Sequence, residues 1–197
     1  YKLFMFSVVF PGQGSQSVGM TKNLYNNFSY IKELFKKADD ILEQSISKII
    51  LEGPQEKLNL TENTQPAIFL ASYSIFQLVM NETKKDLNKA KFFAGHSLGE
   101  YSALAATKSL SFEQSLKLLK VRGKSMQSAV PKGEGGMIAV LGSDVKLITE
   151  LLKKNIAKYK CFVANDNSIG QLVVSGKNND LDLFINDLKL EKIKNIK

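Results

Sequence analysis

The chain has one cysteine and one histidine in 197 residues, and of its 27 basic residues only Arg122 is an arginine. The lone cysteine, Cys161, excludes a disulfide framework and a cysteine metal cluster, and no metal site is expected. It stands in the apolar run Cys161-Phe162-Val163-Ala164 and reads as a buried small hydrophobe. No apolar run approaches the roughly 18–20 residues that cross a bilayer, so no membrane partner is expected. The apolar stretch Tyr1–Phe10 has no cleavage-type ending and reads as a strand rather than a signal peptide. The first residue is Tyr1 rather than Met, so the removal of an upstream segment is expected.

Basic runs interleaved with aromatics are also missing, which argues against nucleic acid as a partner. The net charge of +8 can attract an acidic partner or a phosphorylated ligand. The lysines are scattered, however, often beside asparagine as in Lys177-Asn178-Asn179, as on a solvated surface. Arg122 stands apart from them. A guanidinium offers a planar fork that grips a carboxylate through two parallel hydrogen bonds, which lysine cannot do. Chance or a structural ion pair are the competing readings of that position.

The length suits one well-cored domain with a smaller companion. Residues 4–10 read as a buried strand, followed by a loop with two glycines, Pro11-Gly12-Gln13-Gly14-Ser15. Helical periodicity is expected from Ser29 to about Leu51 and from Thr64 to Met80, with Pro66 early in the second helix. Lys91–Ala94 reads as a strand, Gly95–Gly99 as a turn and Glu100 to about Thr107 as a helix. Ser111 is placed to cap a long helix reaching about Ala129. Residues 131–136 form a glycine-rich linker. Beyond it the order is β-α-β-β-α-β, a ferredoxin-like pattern, with Asn165–Gly170 as a polar loop between the middle strands. The expected fold class is α/β: a core at 1–133 resembling an α/β-hydrolase and a ferredoxin-like subdomain at 134–197.

Gly95-His96-Ser97-Leu98-Gly99 fits G-x-S-x-G, with a strand before it and a helix after it. Such a turn presents the Ser97 hydroxyl at a helix N-terminus, where backbone N–H groups face an incoming carbonyl. A tight packing turn with an incidental serine is the alternative. A serine nucleophile needs a base. His96, adjacent to Ser97, points elsewhere at a strand end and reads as a residue lining the site. The base is then an unusual Asp or Lys, or lies beyond Lys197. The loop at Gln13 can supply one oxyanion donor and the N–H of Leu98 the other. A phosphate-binding reading of that loop lacks the Walker lysine and a third glycine.

These motifs have a family likeness. FPGQGSQ at Phe10–Gln16, followed by Gly19-Met20, and GHSLGEYSA at residues 95–103 resemble the malonyl-CoA:acyl carrier protein transacylases and the acyltransferase domains of polyketide synthases. Thr64-Gln65-Pro66-Ala67 resembles that family's T-Q-P-A helix start, Arg122–Gln127 its R-G-x-x-M-Q segment, and Asn165–Gln171 its N-x-N-S-x-x-Q loop. The resemblance implies a malonyl-serine intermediate on Ser97 and an oxyanion hole of the Gln13 and Leu98 N–H groups. It implies that Arg122 pairs with the malonyl carboxylate and that Asn165 lines the site. The partners implied are malonyl-CoA, as substrate, and acyl carrier protein, with no cofactor.

The family's catalytic histidine follows the small subdomain and has no counterpart here, so the chain is expected to be C-terminally incomplete and impaired as it stands. A serine hydrolase or neutral-acyl transferase on the same scaffold, or a non-catalytic carrier-binding fragment, are the alternatives. A monomer is expected, in a plastid-type (apicoplast-like) organelle or else in the cytoplasm.

Overall fold

The structure is a computed structural model that describes residues 5–130 and 133–196. It divides into two compact units, one ending at Ala129 and the other starting at Val130. Phe4 of the expected first strand and Pro131 and Lys132 of the expected linker lie outside the described residues.

The first unit begins with β1 (Ser7–Phe10), then α1 (Lys22–Asn27), α2 (Ser29–Leu42), α3 (Ile46–Glu52), α4 (Gln55–Leu58) and α5 (Thr61–Glu82). β2 (Phe92–Gly95), α6 (Gly99–Ala106) and α7 (Phe112–Ala129) follow. β1 and β2 pair in parallel, Ser7 beside Phe92 through Phe10 beside Gly95. Parallel neighbours leave a sheet at the same edge, so the segments after Phe10 and after Gly95 emerge side by side.

α5 is the central helix. From Asn63 to Ser72 every residue is buried, as in a helix covered on all sides. Ile68, Phe69 and Leu70 pack with Ile31 and Phe35 of α2, Ile46 and Ile50 of α3, and Leu116 and Leu119 of α7. The other end of α5 carries Phe76 into a second cluster with Phe10, Ala103 and Ala106, which seats β1 and α6. α7 starts where expected. The Ser111 hydroxyl accepts from the Gln114 N–H at 3.0 Å, and the Gln114 side chain accepts from the Ser111 N–H at 2.9 Å. This reciprocal capping box satisfies two N–H groups at the helix start.

Two helix expectations change. The single helix expected from Ser29 to Leu51 is two, because Glu43 adopts a left-handed φ of 49° and ends α2. Asp39 then accepts from the Ser47 N–H at 2.8 Å, anchoring the start of α3. α5 begins at Thr61 rather than Thr64, so Pro66 lies in its second turn.

The second unit runs β3 (Gly135–Leu141), α8 (Val145–Lys154), β4 (Cys161–Ser168), β5 (Gln171–Lys177), α9 (Asn178–Leu190) and β6 (Lys194–Ile196). Its sheet order is β4-β5-β3-β6, and every pairing is antiparallel, as in a ferredoxin-like sheet. Ile138, Val140, Leu172 and Val174 face Ile148, Leu181, Phe184 and Leu188 in its core. Cys161 is buried there, as its apolar setting suggests. No helix among the described residues is long and apolar enough to cross a membrane.

Candidate functional site

The elbow after β2 is built by close backbone contacts. A Cβ on Gly99 would lie 2.5 Å from the Phe10 carbonyl oxygen and 2.7 Å from that of Pro11, so α6 starts flush against the end of β1. The His96 N–H donates to the Phe10 carbonyl at 3.0 Å and continues the parallel ladder by one residue. The chain then reverses within two residues: the Gly99 N–H donates to the His96 carbonyl at 2.9 Å, and the Glu100 N–H to the Ser97 carbonyl at 3.1 Å. Ser97 takes up the strain of that reversal. Its φ is 54°, in the left-handed region that side chains other than Gly and Asn or Asp avoid. Its side chain is exposed, while Leu98 beneath it is fully buried. Strand, serine-bearing turn and helix N-terminus thus stand in the order the motif predicts.

The loop after β1 lies against this elbow. A Cβ on Gly12 would sit 2.4 Å from His96 Nδ1, so the absence of a side chain at Gly12 permits the approach. Gln13 is the next residue and is exposed. The loop is tied down from below. Gln16 Nε2 donates to Asn59 Oδ1 at 3.0 Å, and Gln55 Nε2 donates to the same oxygen at 2.9 Å. Gln55 Oε1 in turn accepts from the Val18 N–H at 3.0 Å. This amide chain from α4 holds the loop in place; among its members the sequence reading singled out only Gln16, as part of the FPGQGSQ motif.

Arg122 reaches the elbow from α7. Its Nη2 donates to Ser97 Oγ at 3.0 Å, and its Nη1 donates to Gln65 Oε1 at 2.7 Å. Gln65 is fully buried, and its Nε2 donates to Met126 Sδ at 3.1 Å. The approach of α7 to α5 depends on Gly123, where a Cβ would meet the Glu62 Cα at 2.7 Å and the Thr61 carbonyl oxygen at 2.8 Å. Two residues before Arg122, Lys120 turns to Gln44 and Asn63 instead, and burial lowers its pKa. Of the two cations, only Arg122 is directed to the serine. Since arginine only donates, Ser97 Oγ accepts from it and keeps its own proton for another partner.

Asn165 belongs to the second unit. It was expected on a polar loop, but β4 continues through it to Ser168, and Asn165 pairs with Val173. The loop shrinks to the turn Ile169-Gly170, where Gly170 takes a φ of 78° and its carbonyl accepts from the Gly142 N–H at 2.7 Å. Among the described residues no group of three His, Cys, Asp or Glu is positioned to hold a metal ion.

A strained, exposed serine at a strand–helix turn, its hydroxyl touched by a guanidinium, has the geometry of a nucleophile elbow. The chain belongs to the acyl transferase domain family, whose match covers residues 7–196. It is 43% identical over 171 residues to the malonyl CoA-acyl carrier protein transacylase of Haemophilus influenzae, covering 87% of this chain and 54% of that protein. The transacylase structure from Clostridium perfringens superposes with a TM-score of 0.88 at 37% identity, covering 98% of this chain and 60% of that one. A malonyl-transacylase in complex with a type II PKS acyl-carrier protein gives a TM-score of 0.87 at 36% identity, covering 96% of this chain and 60% of that one. The chain therefore spans about half the length of the curated relatives it matches.

Proposed function

We propose that this chain forms the acyl-accepting part of a transferase that moves malonyl from coenzyme A to the pantetheine thiol of acyl carrier protein. The contact between Arg122 Nη2 and Ser97 Oγ supports this reading most directly. A malonyl group esterified to Ser97 carries its carboxylate carbon only three bonds from Oγ. A guanidinium already touching Oγ is therefore within reach of that carboxylate and can exchange the hydroxyl for it. A neutral acyl group would leave the same cation without a counter-charge, which is costly in a partly buried site.

In the first half-reaction Ser97 Oγ attacks the thioester carbonyl and gives up its proton to a base. The tetrahedral oxyanion faces the backbone N–H groups of Leu98 and Gln13, the C–S bond breaks, and coenzyme A leaves as the thiol. In the second, the carrier thiol attacks the malonyl ester, and Ser97 recovers its proton. Oxygen and sulfur exchange one acyl group with no change of oxidation state, so the chemistry calls for no cofactor. His96 is the only histidine in these 197 residues, and we assign the base to the histidine that the family places after the small subdomain. Acyl carrier protein as acceptor is supported by the neighbouring complex of a malonyl-transacylase with such a protein.

The test is intact mass of the full-length protein containing these residues after incubation with malonyl-CoA. A malonyl adduct that disappears in Ser97→Ala is the expected result; no adduct refutes the reading. Arg122→Ala should lower malonyl loading about 10- to 100-fold more than acetyl loading. Equal loss of both removes the carboxylate role from Arg122.

A further inference from the structure

Arg122 has two edges in use, and the partners differ in kind. Nη2 touches Ser97, whereas Nη1 is held at 2.7 Å by the side-chain carbonyl of Gln65. Because a guanidinium only donates, whatever holds that edge must accept. The two side chains of suitable length are glutamine and glutamate, and they have opposite electrostatic consequences. A carboxylate would neutralise the guanidinium and repel a second carboxylate arriving at Nη2. An amide oxygen fixes the geometry and leaves the whole positive charge for the other edge.

The amide cannot turn its other end to Arg122 without setting N–H groups against N–H groups. Its Nε2 instead meets Met126 Sδ at 3.1 Å, a weak acceptor that does not compete for Oε1. Arg122 and Met126 are four apart on α7, so one face of that helix grips both ends of a fully buried amide. Within the first unit no described carboxylate forms a salt bridge with Arg122.

We infer that Gln65 determines acyl selectivity: as a neutral acceptor it positions Arg122 while preserving the charge that selects an acyl group ending in a carboxylate. This rests on the proposed role of Arg122 toward malonyl. Gln65 acts through Arg122 and is a positioning residue.

The test measures kcat/KM of Ser97 acylation by malonyl-CoA and by acetyl-CoA in the full-length protein, for Gln65→Glu, Gln65→Met and Arg122→Ala. Gln65→Glu keeps shape and acceptor and should lower the malonyl-to-acetyl ratio about 100-fold, chiefly through a raised KM for malonyl-CoA. Gln65→Met keeps the volume but loses the oxygen, and should lower the ratio about tenfold. A purely structural role would depress both substrates together. If Arg122→Ala selectively impairs malonyl while Gln65→Glu leaves the ratio unchanged, the inference fails and the reading beneath it stands. Equal impairment of both substrates by Arg122→Ala overturns both. Should Gln65→Glu not fold, as judged by its melting curve, Gln65→Met decides, and an unchanged ratio there overturns the inference.

Discussion

Gly95 and Gly99 bracket Ser97 so tightly that a Cβ on Gly95 would lie 1.9 Å from the carbonyl carbon of Gly99. The atom in the way is backbone at a helix start, so it cannot step aside as a flexible side chain would. Gly95→Ala should cost about 3 kcal/mol and abolish acylation of Ser97. Gly14→Ala is the control: it meets open space, although at a φ of 106°, and should cost only about 1–2 kcal/mol. Urea unfolding of both variants checks this, and a Gly95→Ala midpoint equal to that of the parent would show that the elbow can relax.

Gly123 makes the same kind of demand between helices. Gly123→Ala pushes its Cβ toward Glu62 Cα, 2.7 Å away, and must move α7 or the first turn of α5. A loss of about 1–3 kcal/mol is expected. Because Arg122 is the preceding residue, malonyl loading should fall more than acetyl loading. Ser125→Ala, at an exposed position on the same helix, should stay within about 0.5 kcal/mol of the parent. Melting curves and acylation rates for the two variants separate a packing effect at Gly123 from general sensitivity of α7.

The capping box at the start of α7 predicts a smaller effect. Ser111→Ala removes the acceptor of the Gln114 N–H and should cost about 1 kcal/mol. Ser111→Gly should cost only a few tenths of that unit. If alanine and glycine prove equally costly, the hydroxyl is not the source of the stability.

Cys161 tests burial in the second unit. Burial, aided by the negative charge of Asp180, pushes its thiol up to about 11 from an ordinary 9.0. Below pH 9 native and unfolded chains both hold the thiol proton, so the contribution of the neutral thiol is fully present. Between pH 9 and about 11 the unfolded chain ionises first, and that contribution is lost as pH rises. The stability difference between the parent and Cys161→Ala should therefore be constant below pH 9 and shrink above it. At pH 8 the native thiolate fraction is about 100-fold below that of an exposed cysteine, so iodoacetamide labelling should be slower by at least that factor. Rapid labelling of folded protein would contradict the buried position.

Much of the architecture was legible because it depends on near neighbours. The G-x-S-x-G turn, the Ser111 cap and the alternation of strands and helices after Gly135 each rest on a few adjacent residues. The exceptions are informative. No glycine or proline marks the break at Glu43, since the chain turns there to let α3 bury Ile46 and Ile50. Asn165 lies in β4 rather than a loop because pairing with β5 outweighs its low strand propensity, at the cost of register shifts on either side.

The sequence by itself determined that Ser97 stands at a strand–helix elbow and that one arginine was available to read a carboxylate. Both follow from residue type and spacing within a short window. Tertiary structure alone decided that Arg122 meets Ser97 from 25 residues away and that Gln65, 57 residues away, holds its other edge. Those contacts depend on how closely α7 packs on α5 at Gly123, and the depth of a helix–helix contact is set by side chains that converge only once the core of Phe69, Leu116 and Leu119 has formed.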